Sequence, residues 1–157
     1  MKDQVTGLQV ELLYGVLPEY DVITRSAKVI NTEEDKIRLT KAQAACIDFL
    51  HGEFDVISFY GRHAMERNMQ RTSVGHGAFV IGSRRGTSSH QYNPMMILAE
   101  KETTEDAGTC YGMSFVYSGG FKAEVEKDQF GQTRMQMGLQ EEQFSYPLEK
   151  RRGICDS

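Results

Sequence analysis

The densest concentration of chemically able groups lies between Gly82 and Pro94. Thirteen residues there hold Arg84 and Arg85, the hydroxyls of Ser83, Thr87, Ser88 and Ser89, the His90 imidazole and the Gln91 and Asn93 amides. Arginine forks, amides and hydroxyls form directional hydrogen bonds, so such a loop can hold an anion or a polyhydroxy ligand. The same side chains can instead satisfy the loop's own backbone and tie strand ends together. Arg62, Arg67 and Arg71 around Glu66 form a second cationic segment, suited to a solvated strand or to a face that docks on another domain or subunit. Six tyrosines (Tyr14, Tyr20, Tyr60, Tyr92, Tyr111 and Tyr117) offer stacking surfaces for a sugar, although aromatic residues alternating in strands usually belong to a core.

Other chemistries find no support in the spacing. Gly82 and Gly86 lack the Lys-Ser/Thr ending and following helix of a phosphate loop. His51, His63, His76 and His90 include no pair at metal-ligand spacing with a third ligand nearby. Ser88 and Ser89 precede His90 without a nucleophile elbow. The acidic groups at Glu33–Asp35, Glu102–Asp106 and Glu141–Glu142 fall in expected turns, and nothing pairs two of them across the roughly 5 to 10 Å that glycoside hydrolysis needs. No catalytic residue, metal or cofactor is assigned to this chain. Cys46, Cys110 and Cys155 are odd in number, far apart and without a CxxC, and read as buried or bystander thiols.

These groups hang on short strands. Leu8–Leu17 alternates with a two-residue period, Tyr20–Ile30 is rich in β-branched residues, and a polar turn at Asn31–Asp35 leads to a further strand at Lys36–Thr40. Lys41–Leu50, rich in alanine, suits a strand or a short helix. Arg62–Arg71 is equally open, since as a strand it places His63, Met65, Arg67, Met69 and Arg71 on one face. Segments at 54–60, 78–81, 95–99, 111–117 and 121–126 recur about every ten residues between Gly, Pro and polar turns, the mark of a sandwich or barrel. Lys127–Gln132 reads as a hairpin tip with Gly131 at positive φ, followed by a strand with Thr133, Met135 and Met137 on one face. The class is all-β, and no repeat or linker divides the chain.

The 157 residues carry 18 Lys plus Arg against 22 Asp plus Glu, a formal charge of −4. That balance argues against non-specific binding to nucleic acid or anionic lipid. No apolar run approaches the roughly 20 residues of a membrane-spanning helix, and no secretory leader is evident, so the expected location is cytoplasmic. A (β/α)8 barrel needs about 250 residues, more than the chain holds.

Ser83–Pro94 resembles the S-R-R-G-x-S-S-H-Q-x-N-P signature of the N-terminal domain of family 36 glycoside hydrolases, the microbial α-galactosidases or melibiases. Tyr20–Arg25 is similar to that family's Y-D-V-I-T-R strand and Tyr60–Arg67 to its G-x-W-x-R-E-R segment. Thr104–Asp106, Tyr111-Gly112 and Val116–Gly119 resemble T-E-D, Y-G and V-Y-S-G, and Ala123–Arg134 resembles A-E-V-E-x-D-Q-F-G-x-T-R. The resemblance covers roughly Val5 to Glu149. It implies that residues 1–149 are part of an antiparallel two-sheet β-supersandwich of galactose-mutarotase-like type, that Arg62–Arg71 is extended, and that residues 150–157 are a tail departing from the pattern. His63 and Met65 also depart from it.

The intact enzymes release terminal α-galactose from melibiose and raffinose with retention, using two aspartates on a barrel. The K-x-D-x-N-R nucleophile motif is absent here, so the chain alone is expected to be inactive. Its implied partners are the catalytic barrel of the same protein, further copies in a homo-oligomer and, through the parent enzyme, α-galactosides. Arg84, Arg85, His90, Gln91 and Asn93, with Arg62 and Arg67 behind them, are the expected rim or interface residues. A free-standing carbohydrate-binding module is the alternative.

Overall fold

The computed structural model describes residues 1–142 and 144–150 in full and residues 153–156 as backbone. The described elements are β1 (Leu8–Leu17), β2 (Val22–Asn31), β3 (Ile37–Leu39), β4 (Gln43–Phe49), β5 (Phe54–Arg62), β6 (Met65–Ser73), β7 (Gly77–Gly82), β8 (Tyr92–Glu100), β9 (Cys110–Ser114), β10 (Phe121–Lys127), β11 (Thr133–Leu139), β12 (Tyr146–Leu148) and β13 (Gly153–Asp156), with one 3-10 turn at Pro18–Tyr20. All strand pairs are antiparallel.

Two four-stranded sheets form the sandwich, in the orders β4-β11-β10-β7 and β6-β5-β8-β9. Alternation along the strands puts one side chain in two between them. Phe121, Ala123 and Val125 of β10 and Met135 and Met137 of β11 face Val56 of β5 and Met96 and Leu98 of β8 in one buried cluster. Each fully buried large side chain stabilises this arrangement by about 1.5–3 kcal/mol. Thr133 shares the buried face of β11 with the two methionines, as its spacing predicts.

Beside the sandwich lie two smaller sheets, β1-β2-β13 and β12-β3. The strand at Lys36–Thr40 therefore does not return against β2; β3 pairs with β12 instead. Buried Asn31 fixes this junction, donating from Nδ2 to the carbonyls of Asp35 (2.6 Å) and Leu148 (3.0 Å) and accepting from the Glu33 amide (3.0 Å). Lys41–Leu50 forms strand, not helix. Ladder bonds to β11 and burial of Ala44 outweigh alanine's helical propensity. Of the tail, Gly153–Asp156 pairs with β2, while the Cys155 side chain lies outside the described residues.

Candidate functional site

Antiparallel register brings the two arginine-bearing segments to one end of the sandwich. Tyr60 of β5 pairs with Tyr92 of β8, and the Gly61 amide donates to the Gln91 carbonyl at 3.3 Å. The β5–β6 hairpin tip thus sits beside the loop that enters β8.

The hairpin is short and bulged. Arg62 pairs with Met65, which leaves His63 and Ala64 as the two-residue turn, with Ala64 at φ 62°. Tyr60 pairs with Asn68, so Gly61 alone opposes Glu66 and Arg67. A Cβ on Gly61 would come within 2.4 Å of the Met65 carbonyl oxygen, and only glycine fits. Arg67 takes φ 59° to complete the bulge. Asn68 Nδ2 donates to the Met65 carbonyl at 2.8 Å, and Glu66 Oε1 accepts from the Ala64 amide at 3.1 Å. Both bonds fix the tip. Arg62 and Arg67 stay exposed; Arg62 Nη2 lies 3.1 Å from Met65 Sδ, and Arg67 has no side-chain hydrogen bond among the described residues. The bulge breaks the single-face alternation expected for 63–71. His63 is in the turn, and Arg71 lies toward the opposite end of the sheet, bound to Asp55 at 2.7 Å and to the Thr103 carbonyl at 2.6 Å.

The loop divides its polar groups between two jobs. Three of its four hydroxyls serve the backbone. Ser83 Oγ donates to the Thr87 carbonyl at 2.5 Å, Thr87 Oγ1 to the Ser118 carbonyl at 3.0 Å, and Ser89 Oγ accepts from the Gln91 amide at 3.2 Å. The Ser83 amide donates to Phe121 and the Ser88 amide to Ser118, which ties the loop to the start of β10. Arg84 Nε meets Glu142 Oε2 at 2.5 Å in an exposed pair. The side chains of Arg85, His90, Gln91 and Asn93 make no hydrogen bond among the described residues and remain available to a ligand or partner.

Between loop and strands lies an open depression of about 740 Å³ lined by Ile81, Ser83, Arg84, Arg85, Gln91 and Lys122, among others. Lys122 bridges Glu141 (2.6 Å) and Glu124 (2.9 Å). Its hydrogen bond to Glu141 raises the lysine above its usual value and lowers the carboxyl, so both stay charged. Tyr60, Tyr92 and Tyr117 at this end are exposed, as are Tyr14, Tyr20 and Tyr111 elsewhere, while Phe54, Phe115 and Phe121 take the core. Among the described residues no group of three or more His, Cys, Asp and Glu is placed to hold a metal ion.

The family model of the glycosyl hydrolase family 36 N-terminal domain matches residues 1–149. The chain belongs to this family. Among curated relatives of this family 36 domain, the bifunctional alpha-galactosidase/sucrose kinase AgaSK of Mediterraneibacter gnavus is 64% identical over 94% of the chain and 16% of its own length. Alpha-galactosidase Mel36A of Lactobacillus acidophilus is 41% identical over 94% of the chain and 20% of its own. The solved galactosidase domain of AgaSK superposes with TM-score 0.95 at 62% identity, covering 98% of this chain and 21% of that one. Alpha-galactosidase AgaA of Geobacillus stearothermophilus superposes equally, at 37% identity over 99% of this chain and 22% of its own. The chain thus spans about a fifth of the relatives it matches.

The family 36 loop is visible in the sequence and the resemblance makes Arg62–Arg71 extended, but neither the pairing of Arg84 with Glu142 nor the hairpin turn bulged at Gly61 was expected. The first joins residues far apart in the chain. The second had a signal in the lone Gly61 within a strand pattern, which marks a bulge.

Proposed function

We propose that the chain is the N-terminal β-sandwich of an α-galactosidase, that it packs on a catalytic (β/α)8 barrel supplied by the rest of the polypeptide, and that its arginine-bearing end shapes the rim of the sugar pocket and a contact between copies. The convergence of Arg62 and Arg67 with Arg85, His90, Gln91 and Asn93 at one end carries this reading. Planar donors facing outward, with exposed tyrosines beside them, suit hydroxyl-rich ligands. The relatives named as α-galactosidases, and a variant of AgaA solved in complex with raffinose at TM-score 0.95, support the substrate class.

The test uses the intact polypeptide with nitrophenyl α-galactoside and raffinose. Arg67→Ala is expected to raise KM about tenfold with a smaller change in kcat, as loss of substrate positioning at a rim does. An unchanged KM in both Arg67→Ala and Arg85→Ala removes the rim role. The isolated 157-residue chain is expected neither to hydrolyse the substrate nor to bind galactose or raffinose saturably. Saturable binding would favour a free-standing carbohydrate module, and hydrolysis would place the chemistry in this chain.

A further inference from the structure

The hairpin of β1 and β2 stands off the sandwich as an arm. Adjacent strand residues point to opposite faces. Leu13 and Tyr14 are both exposed, as are Val22 and Ile23, so neither face of the arm's outer half is covered. Between the arm and the sandwich runs a groove of about 980 Å³, mostly apolar, whose sandwich wall includes Cys46, Met113, Phe115 and Met137. Arg25 of β2 lines the same groove. Its Nη1 donates to the Cys46 carbonyl at 3.3 Å, and its guanidinium carbon lies 5.6 Å from the centre of the Tyr14 ring. Its Nε is buried with no hydrogen-bond partner among the described residues, and no carboxylate pairs with it there.

We propose that this groove seats a segment of the same polypeptide lying outside the 157 residues, apolar along its length and presenting one carboxylate to Arg25. The proposal rests on the reading of the chain as part of a longer α-galactosidase. Charge complementarity supplies the carboxylate: a half-buried guanidinium that lines the groove without an ion-pair partner among the described residues is best met by a forked, charged acceptor. The relatives supply the source. The matching part of the solved chains keeps this fold at TM-score 0.95, while about four fifths of each of those chains lies elsewhere.

Photocrosslinking in the intact polypeptide tests it, with p-benzoylphenylalanine in place of Ile23. The expected product has the mass of a single chain after denaturation, and its peptide map joins the Ile23 peptide to one outside residues 1–157 that contains Asp or Glu. Arg25→Met is expected to cut the yield at least fivefold and Arg25→Lys to keep most of it, with the strand signal in circular dichroism unchanged. A product of twice the mass assigns the groove to a second copy and overturns the proposal. So does a crosslink confined to residues 1–157, a folded protein that gives no crosslink from Ile23 or from the same probe at Leu13, or an Arg25→Met yield equal to that of the parent. α-Galactoside hydrolysis by the same preparations separates the two readings: inactive protein sinks the assigned activity, whereas active protein without the crosslink sinks only the seat.

Discussion

Arg67 holds a left-handed backbone, φ 59°, at the bulge opposite Gly61. A side chain with a Cβ is disfavoured there by about 1–2 kcal/mol relative to glycine, and such strain persists where the surroundings over-determine it. Arg67→Gly is therefore expected to raise the thermal stability of the chain by about 1 kcal/mol while, on the proposed rim role, raising KM for α-galactosides in the intact polypeptide. Calorimetry and KM measured on one variant check both signs, and lower stability would show that the arginine stem packs more than the exposed hairpin indicates. Thr133 poses the opposite problem. Its hydroxyl is buried on the core face of β11 and has no partner among the described residues. A buried unsatisfied hydroxyl costs about 1–3 kcal/mol, whereas valine has the same shape and no polar atom. Thr133→Val is expected to shift the denaturant midpoint upward without changing the slope, and a downward shift would mean that the hydroxyl is satisfied in solution.

At the scale of elements, the loop after β8 is held to β5 and β6 by one carboxylate. Asp55 accepts from Arg71 at 2.7 Å and from Lys101 at 2.6 Å, and Arg71 continues to the carbonyls of Glu100, Lys101 and Thr103. Burial opposes charge on Asp55, but hydrogen bonds from Lys101, Arg71 and Ser73 together prevail and hold the carboxyl below its usual value. A carboxyl depressed in the folded state stabilises the fold at pH above the unfolded value of about 4, and that contribution is lost as pH falls through the lower folded value. Asp55→Asn is expected to cost about 2 kcal/mol near pH 7 and to flatten the fall in stability below pH 4. Parallel curves for variant and parent would show that the network is not formed in solution. Most of these elements are legible in the sequence, because β10 and β11 alternate cleanly and Gly131 marks their turn at φ 81°. Partner choice is not, because the pairing of β3 with β12 depends on Asn31 reaching Leu148 across the chain. The candidate site divides in the same way. The density of Arg, Ser and amide groups in 83–93 is visible locally, but which of them the backbone uses depends on Ser118 and Phe121, far along the chain.

For the whole molecule, the decisive feature is how much apolar surface two packed sheets leave uncovered. Val16, Tyr20 and Ile23 on the arm and Val116 near the loop end are each more than 60% exposed, and β4, β7, β6 and β9 form the edges of the two main sheets. Apolar patches of this kind and open strand edges both favour association, and a formal charge of −4 gives little repulsion against it. The 157-residue chain is therefore expected to show a mass above that of one chain in light scattering as concentration rises. Lysine at both Val16 and Ile23 should restore the single-chain mass, because charge on an exposed arm costs nothing in water and blocks its burial against a neighbour. In the intact polypeptide the same pair of substitutions should act in the opposite sense. An arm covered there by the rest of the chain loses burial worth about 1.5–3 kcal/mol per side chain and must also bury two ammonium groups, so the thermal midpoint falls. Monodisperse behaviour of the unaltered chain at every concentration, or an unshifted midpoint in the intact double variant, would show that the arm is a solvent-facing hairpin in both settings.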